Sequence, residues 1–294
     1  MTEPTQHFFQ SQGLRLAYCA WGDPSKPPLV LVHGGRDHAR SWDSVAEAFE
    51  RDYYVVAPDL RGHGDSQWVS GGEYLLRDHV LDLVALLDVL GERASVVGHS
   101  FGGYVVLLTA GAMPERFDAL VLIEGTGPGP GAHPDEAMTP GGVRAWVERR
   151  HALEARAPRV YPTLEEARDR MVEANRRLTP ELATHLARHG VREVEGGYAW
   201  KFDNLARAEA RGGSVTPEQA RAFWVEVTCP VLLLVGEESG GRRADADNAR
   251  HFRDARAVTV PGAGHWVHHD RLDVVVHEIR RHLEAAMSES DAAG

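Results

Sequence analysis

Short apolar runs bounded by turn residues recur along this chain. They occupy residues 29–32, 53–57, 94–97, 119–123, 231–235 and 257–260. Each is four or five residues long, rich in Val, Leu and Ile, and too short for a helix. A run of that length and continuity suits a strand buried on both faces, as in a parallel sheet. Residues 7–11 and 14–21 read as two earlier strands, and Gln12-Gly13 between them is a hairpin signal. Helical spacing appears between the runs. Leu76, Val80, Leu83, Val84, Leu87 and Leu90 share one face, and Gly91 follows as a stop. Leu272, Val275, Val276, Ile279 and Leu283 mark a last helix, with Asp270 as its expected N-cap. Alternation of strand and helix predicts an α/β fold with a mostly parallel sheet and helices on both faces.

The alternation breaks after Gly125. Residues 126–131 read Thr-Gly-Pro-Gly-Pro-Gly, which continues no regular element. The stretch from there to about residue 222 is rich in Arg and Glu and reads helical throughout. Thr163 with Glu166 forms a capping box, Thr179-Pro180 starts another helix, and Gly190 stops one. The expected organisation is a core of residues 1–125 and 226–288, a helical insertion over 126–225 after the sixth strand, and a frayed tail over 289–294.

Composition narrows the picture without redirecting it. The chain has 294 residues, 43% of them hydrophobic, and a net charge of −11. No basic run stands out, so nucleic acid and anionic membranes are poor partners. No apolar stretch approaches the ~20 residues that span a bilayer. The first ten residues lack a basic segment followed by an apolar one, so a cytoplasmic protein is expected. Cys19 and Cys229 are far apart in sequence, and two reduced, partly buried thiols are expected rather than a disulfide or a metal site.

Chemistry concentrates at three places. Gly98-His99-Ser100-Phe101-Gly102 fits G-x-S-x-G directly after the run at 94–97 and before a helical run. That strand–turn–helix context exposes a serine hydroxyl above the sheet edge. His33-Gly34-Gly35 follows the run at 29–32. Gly264-His265-Trp266 lies between the last strand and the last helix. Taken in order, these signals resemble the α/β-hydrolase family over nearly the whole chain. The resemblance implies an α/β-hydrolase fold with a helical lid. It implies Ser100 as nucleophile and His265 as base and acid, with His268 and His269 as competitors closer to the helix start. The amides of Gly35 and Phe101 would form an oxyanion hole. Asp59-Leu60-Arg61-Gly62-His63-Gly64-Asp65-Ser66 resembles a structural loop of the family, its charges paired with each other or with backbone.

The acid is less direct. Many members of the family place an Asp three residues after the glycine that ends the penultimate strand. Here that glycine is Gly236 and the third residue is Ser239. Other members place the acid just after the strand before the insertion, which here is Glu124. Glu124 is therefore the expected acid, with Glu238 and Asp245 as alternatives. Within the insertion, Gly197 to Asp203 mixes aromatics with charges and resembles a lid motif, so Trp200, with Gly34, is a candidate to line the substrate pocket. The resulting expectation is a cofactor-free, metal-free serine hydrolase of a small-molecule carboxylic ester or lactone, monomeric or a small homo-oligomer. The same residues also fit a C–C bond hydrolase of the meta-cleavage type, or a binding homologue that lost turnover. An Asp-nucleophile dehalogenase or epoxide hydrolase is disfavoured by Ser100.

Overall fold

The computed structural model describes residues 2–71, 74–91, 93–127, 139–209, 217–239 and 247–293. Eight strands form one sheet in the order β1-β2-β4-β3-β5-β6-β9-β10. They are β1 (Thr5–Ser11), β2 (Leu14–Trp21), β3 (Pro28–Val32), β4 (Tyr54–Pro58), β5 (Ala94–His99), β6 (Phe117–Ile123), β9 (Val231–Gly236) and β10 (Ala255–Val260). β1 and β2 form the expected hairpin, and Gln12 and Gly13 both take positive φ in its turn. β2 meets β4 antiparallel, and every later pairing is parallel. The fold is therefore α/β with a mostly parallel sheet.

The continuous apolar runs are explained by two cores, one on each face of the sheet. Val30, Val32, Val96, Leu120 and Leu122 face Leu83, Leu86 and Leu87 of α2 (Leu76–Leu90) and Val105 and Val106 of α3 (Ser100–Ala112). Leu29, Leu31, Val97, Val121 and Ile123 face the other way, onto Phe49 of α1 (Asp43–Phe49) and onto Val275, Ile279 and Leu283 of the last helix, α10 (Leu272–Ala293). Successive residues of these central strands thus enter different cores, whereas in edge strand β10 Ala257 and Thr259 stay exposed. Cys19 and Cys229 are buried free thiols, and burial pushes each up to about 12. Among the described residues, no helix is long and apolar enough to cross a membrane.

The segment between β6 and β9 departs from expectation in one respect. It carries α4 (Pro140–Glu154), α5 (Leu164–Ala174), α6 (Pro180–Gly190), α7 (Asn204–Glu209) and α8 (Pro217–Trp224). Thr163 and Thr179 cap α5 and α6 by accepting from the amides of Glu166 and Leu182, both at 3.2 Å. It is not all helical, however. Between α6 and α7 lies an antiparallel hairpin of β7 (Val191–Val194) and β8 (Gly197–Trp200). Gly196 and Gly197 supply positive φ at its turn, and Val191, Tyr198 and Trp200 pack with Tyr161 and Ala167. Two further differences fall at the C-terminal end. α10 runs on to Ala293 where a frayed tail was expected, because Ala, Met, Ser and Asp there contain no helix breaker. Asp270 does not cap α10: it ends a short helix, α9 (Val267–Asp270), and its carboxylate turns back toward the loop before it.

Candidate active site

Three strand ends converge on the site. β5 delivers Ser100, β6 delivers Glu124, and the loop after β10 delivers His265. Ser100 stands at the junction of β5 and α3 with a φ of 51°, a left-handed conformation that costs a non-glycine residue about 1–3 kcal/mol. Close packing holds the turn. A Cβ on Gly98 would come within 2.6 Å of Gly103 Cα, and one on Gly102 within 2.3 Å of the His33 carbonyl oxygen. Only glycine fits either position.

His265 Nε2 lies 3.0 Å from Ser100 Oγ. Its loop is held from two sides. The carbonyl of His265 accepts from His99 Nε2 at 2.9 Å, and the amide of Gly264 donates to Asp270 Oδ2 at 2.7 Å. Neither contact is visible in the spacing of the motif. The only local hint was an acid five residues after His265.

Behind His265 stands Glu124, whose side chain is 0% exposed and whose Oε2 lies 3.5 Å from His265 Nδ1. Its other oxygen accepts from the amide of Gly236 at 2.7 Å. Glu124 has a φ of 54°, so the ends of β5 and β6 share the same left-handed step. That step turns the carboxylate sideways, across the end of β9, into the place from which an acid on β9 would otherwise approach the histidine. The alternatives fare differently. Glu238 is half exposed and its carboxylate pairs with the Arg177 guanidinium, while its amide donates to Ala263 O at 2.8 Å. Asp245 lies outside the described residues.

Gly35 and Phe101 stand across from one another, a Cβ built on Gly35 falling 4.0 Å from Phe101 Cβ. The Phe101 amide belongs to the first turn of α3, where amides have no partner within the helix and the dipole is positive. His33 shapes the opposing turn. Its Nδ1–H donates to Gly34 O at 2.7 Å, and its Nε2 accepts from Leu60 N at 3.0 Å. Burial holds its pKa well below the ordinary value, so this neutral tautomer persists.

Above Gly35 opens a cavity of about 550 Å³. Trp200, Phe202 and Tyr161 supply aromatic walls, and Arg36, Arg156 and Arg159 supply charge. Trp200 serves packing as well: its Nε1 donates to Tyr161 Oη at 3.2 Å and its ring stacks on Phe202. Gly34 does not face this cavity. It is buried, and a Cβ there would meet His99 Nδ1 at 2.9 Å and Ser100 Cβ at 3.3 Å. His268 is buried against Trp42, and His269 Nε2–H donates to Ser41 O at 3.2 Å, so neither is directed at Ser100. The loop after β4 is structural. Asp59 accepts from the amides of Ala39 and Asp65 at 2.7 and 2.8 Å, and Arg61 forks onto Asp82 of α2 at 2.6 and 2.7 Å.

A serine on a strained strand–helix turn, facing a histidine on a late loop above a mostly parallel sheet, defines a class by its architecture: the α/β-hydrolase fold. The model of the alpha/beta hydrolase family matches residues 29–278, and the chain belongs to that family. It is 30% identical over 268 residues to a 3-hydroxybutyrate-oligomer hydrolase from Cupriavidus necator, covering 85% of this chain and 87% of that protein. A serine hydrolase-like protein from Danio rerio is 30% identical over 186 residues, 62% of this chain. The chain spans 57% of that relative's length. Among solved structures, a hypothetical protein from Pseudomonas aeruginosa PAO1 superposes with a TM-score of 0.81 at 31% identity, covering 98% of this chain and 100% of that one.

Proposed function

We propose that the protein hydrolyses carboxylic esters of small-to-medium organic acids through an acyl-enzyme on Ser100. The observation that carries this reading is the 3.0 Å approach of His265 Nε2 to Ser100 Oγ, with the buried Glu124 carboxylate at the far ring nitrogen. In the reading, His265 takes the hydroxyl proton as Ser100 attacks the ester carbonyl, then gives it to the departing alcohol. Glu124 keeps the other imidazole proton on Nδ1 and stabilises the imidazolium. The amides of Gly35 and Phe101 receive the developing oxyanion. Water then enters by the same route and releases the acid. No group beyond these side chains and water is required.

The segment over residues 139–224 acts as the lid in this proposal, with Trp200 and Phe202 against the acyl chain. Arg36, Arg156 and Arg159 in the cavity wall favour an acyl chain that ends in a carboxylate. Short oligoesters of 3-hydroxy acids combine an ester with such an end, and a relative's name points to the same chemistry.

The test is a fluorophosphonate probe followed by turnover of graded p-nitrophenyl esters, lactones and a linear 3-hydroxybutyrate dimer. Labelling of the intact protein is expected, and Ser100→Ala should abolish it while lowering kcat by about 10⁵–10⁶. A folded protein that neither labels nor cleaves any ester would overturn the proposal.

A further inference from the structure

Beside the Ser100–His265 pair, three side chains converge that the proposed reaction does not use. Asp37 comes from the turn after β3, His99 is the last residue of β5, and His268 lies in α9. One nitrogen or oxygen from each lies within 4.8 Å of the other two. His268 is 2% exposed, and neither of its ring nitrogens has a hydrogen-bond partner. A buried imidazole in that state is costly to keep, which calls for an explanation. Its ring is stacked on Trp42 at 4.4 Å and 22°, so its direction is set by packing. The His99 ring lies 4.7 Å from that of His268. Because His99 Nε2–H donates to the carbonyl of His265, His99 Nδ1 carries the lone pair. A histidine that donates one N–H to a backbone carbonyl and offers the other nitrogen is prepared as a metal ligand. Asp37 also lines the cavity, which gives an ion a way in.

We propose that Asp37, His99 and His268 form a site for a borderline divalent transition metal, with Zn²⁺ as its probe, and that its occupation inhibits the enzyme. Two imidazoles, a carboxylate and one water make a tetrahedral N₂O₂ set suited to Zn²⁺ rather than to Mg²⁺ or Ca²⁺. Tetrahedral ligand atoms at Zn²⁺ bond lengths stand about 3.4 Å apart, so the cluster must close by about an ångström or less per group. Asp37 can supply most of that movement because it sits on a turn rather than in the sheet. Inhibition follows from position. The rings of His99 and His265 are 4.9 Å apart, so a dication on His99 opposes the imidazolium that His265 must become. It also draws on the hydrogen bond that holds the His265 backbone. The expected signature is a fall in kcat larger than any change in KM.

The binding half of this proposal is independent of ester hydrolysis; the inhibition half rests on it. Zn²⁺ is titrated calorimetrically into the Ser100→Ala protein, where turnover plays no part. One site per chain with a micromolar or tighter Kd is expected. His268→Phe, which keeps the stack on Trp42, and Asp37→Asn should each weaken binding at least 30-fold, while Glu124→Gln should leave it unchanged. Separately, Zn²⁺ should inhibit p-nitrophenyl butyrate turnover by the unaltered protein. His268→Phe should turn over normally without metal and resist inhibition. Absence of binding to the folded protein would overturn the proposal. So would binding that survives His268→Phe but disappears in Glu124→Gln, which would place the ion on His265. Binding without inhibition of an active enzyme would overturn the inhibitory role. A protein that binds Zn²⁺ as described but cleaves no ester would instead count against the hydrolytic reading alone.

Discussion

Glu124 and Glu238 follow adjacent parallel strands, β6 and β9, yet their carboxylates meet opposite surroundings. Glu124 is sealed from solvent, with the Gly236 amide on one oxygen and His265 Nδ1 near the other. Glu238 is 53% exposed and lies against Arg177. The two have the same chemistry and stand at neighbouring strand ends. What separates them is a backbone step. The left-handed turn at Glu124 aims its side chain along the strand ends toward His265, whereas the chain after Gly236 carries Glu238 out to the surface. A buried carboxylate is expensive unless its oxygens are engaged, so its position is over-determined by the groups around it. An exposed one has no such constraint, and water competes for it at every contact.

The strongest way to break this comparison is Glu124→Gln. The substituted amide keeps the volume, and its oxygen can still accept from Gly236. Its NH₂ then faces His265 Nδ1 and forces the imidazole proton onto Nε2, where it cannot receive the serine proton. Turnover should fall by about 10⁴ in kcat, with KM changed far less. Retention of near-full ester turnover by a folded Glu124→Gln protein would remove Glu124 from the triad.

Burial sharpens the contrast through pH as well. Burial depresses the pKa values of His33, His63, His79 and His268, that of His63 to about 4. Their unfolded counterparts take up protons near pH ~6.5. A depressed folded pKa gives stability that is fully present above the unfolded value of ~6.5 and is lost as pH falls from there toward the folded value. Burial raises Asp37 to about 7 and Asp59 to about 6, which works in the opposite sense between their unfolded value of ~3.9 and those pH values. His38, His189, His269 and His282 are depressed by burial as well, so eight such histidines stand against the two raised acids, unfolding takes up protons near pH ~5.5, and stability falls as the pH is lowered. Urea midpoints at pH 7.5 and 5.5 should show the decline, and equal midpoints would contradict it.

The third effect is smaller and concerns how His265 is held. Asp270 accepts the Gly264 amide with a side chain that is 2% exposed. Asp270→Ala strands a buried donor at a cost of about 1–3 kcal/mol. It should also lower kcat about tenfold through a looser histidine. Because Asp270 touches no reacting atom, the pH profile of the remaining activity should keep its shape. A displaced profile would assign Asp270 a share of the acid's role.

Legibility followed the range of the interactions involved. The core strands were readable because both of their faces are buried, so Leu29-Val30-Leu31-Val32 is apolar at every position. The hairpin of β7 and β8 was not, because its strands are four residues each and Arg192 and Glu193 interrupt any apolar run. Ser100 and the loop of His265 were readable from local glycine chemistry. Glu124 was reached indirectly, through the missing acid at Ser239 and the family resemblance, and its burial and hold on Gly236 could not be seen in sequence. The convergence of Asp37, His99 and His268 depends on three segments far apart in the chain. Gly34 was misplaced for a related reason: the motif shows that the turn is tight, but not which of its glycines faces the cavity.

The smallest effect is the most exacting check on the comparison. Glu238→Gln removes the charge from an acid that sits one strand away from Glu124 and two residues past Gly236. Its partner Arg177 is itself 40% exposed, and such pairs contribute about 0–1 kcal/mol because water solvates both ions nearly as well apart. The amide of Glu238 keeps its bond to Ala263 in the variant, so the backbone that frames the His265 loop is undisturbed. Ester kcat and KM should both stay within about twofold, and stability within about 0.5 kcal/mol. A loss of tenfold or more in kcat would mean that Glu238 swings in from the surface when substrate binds. The acid would then belong to β9, and the buried glutamate on β6 would be a structural group after all.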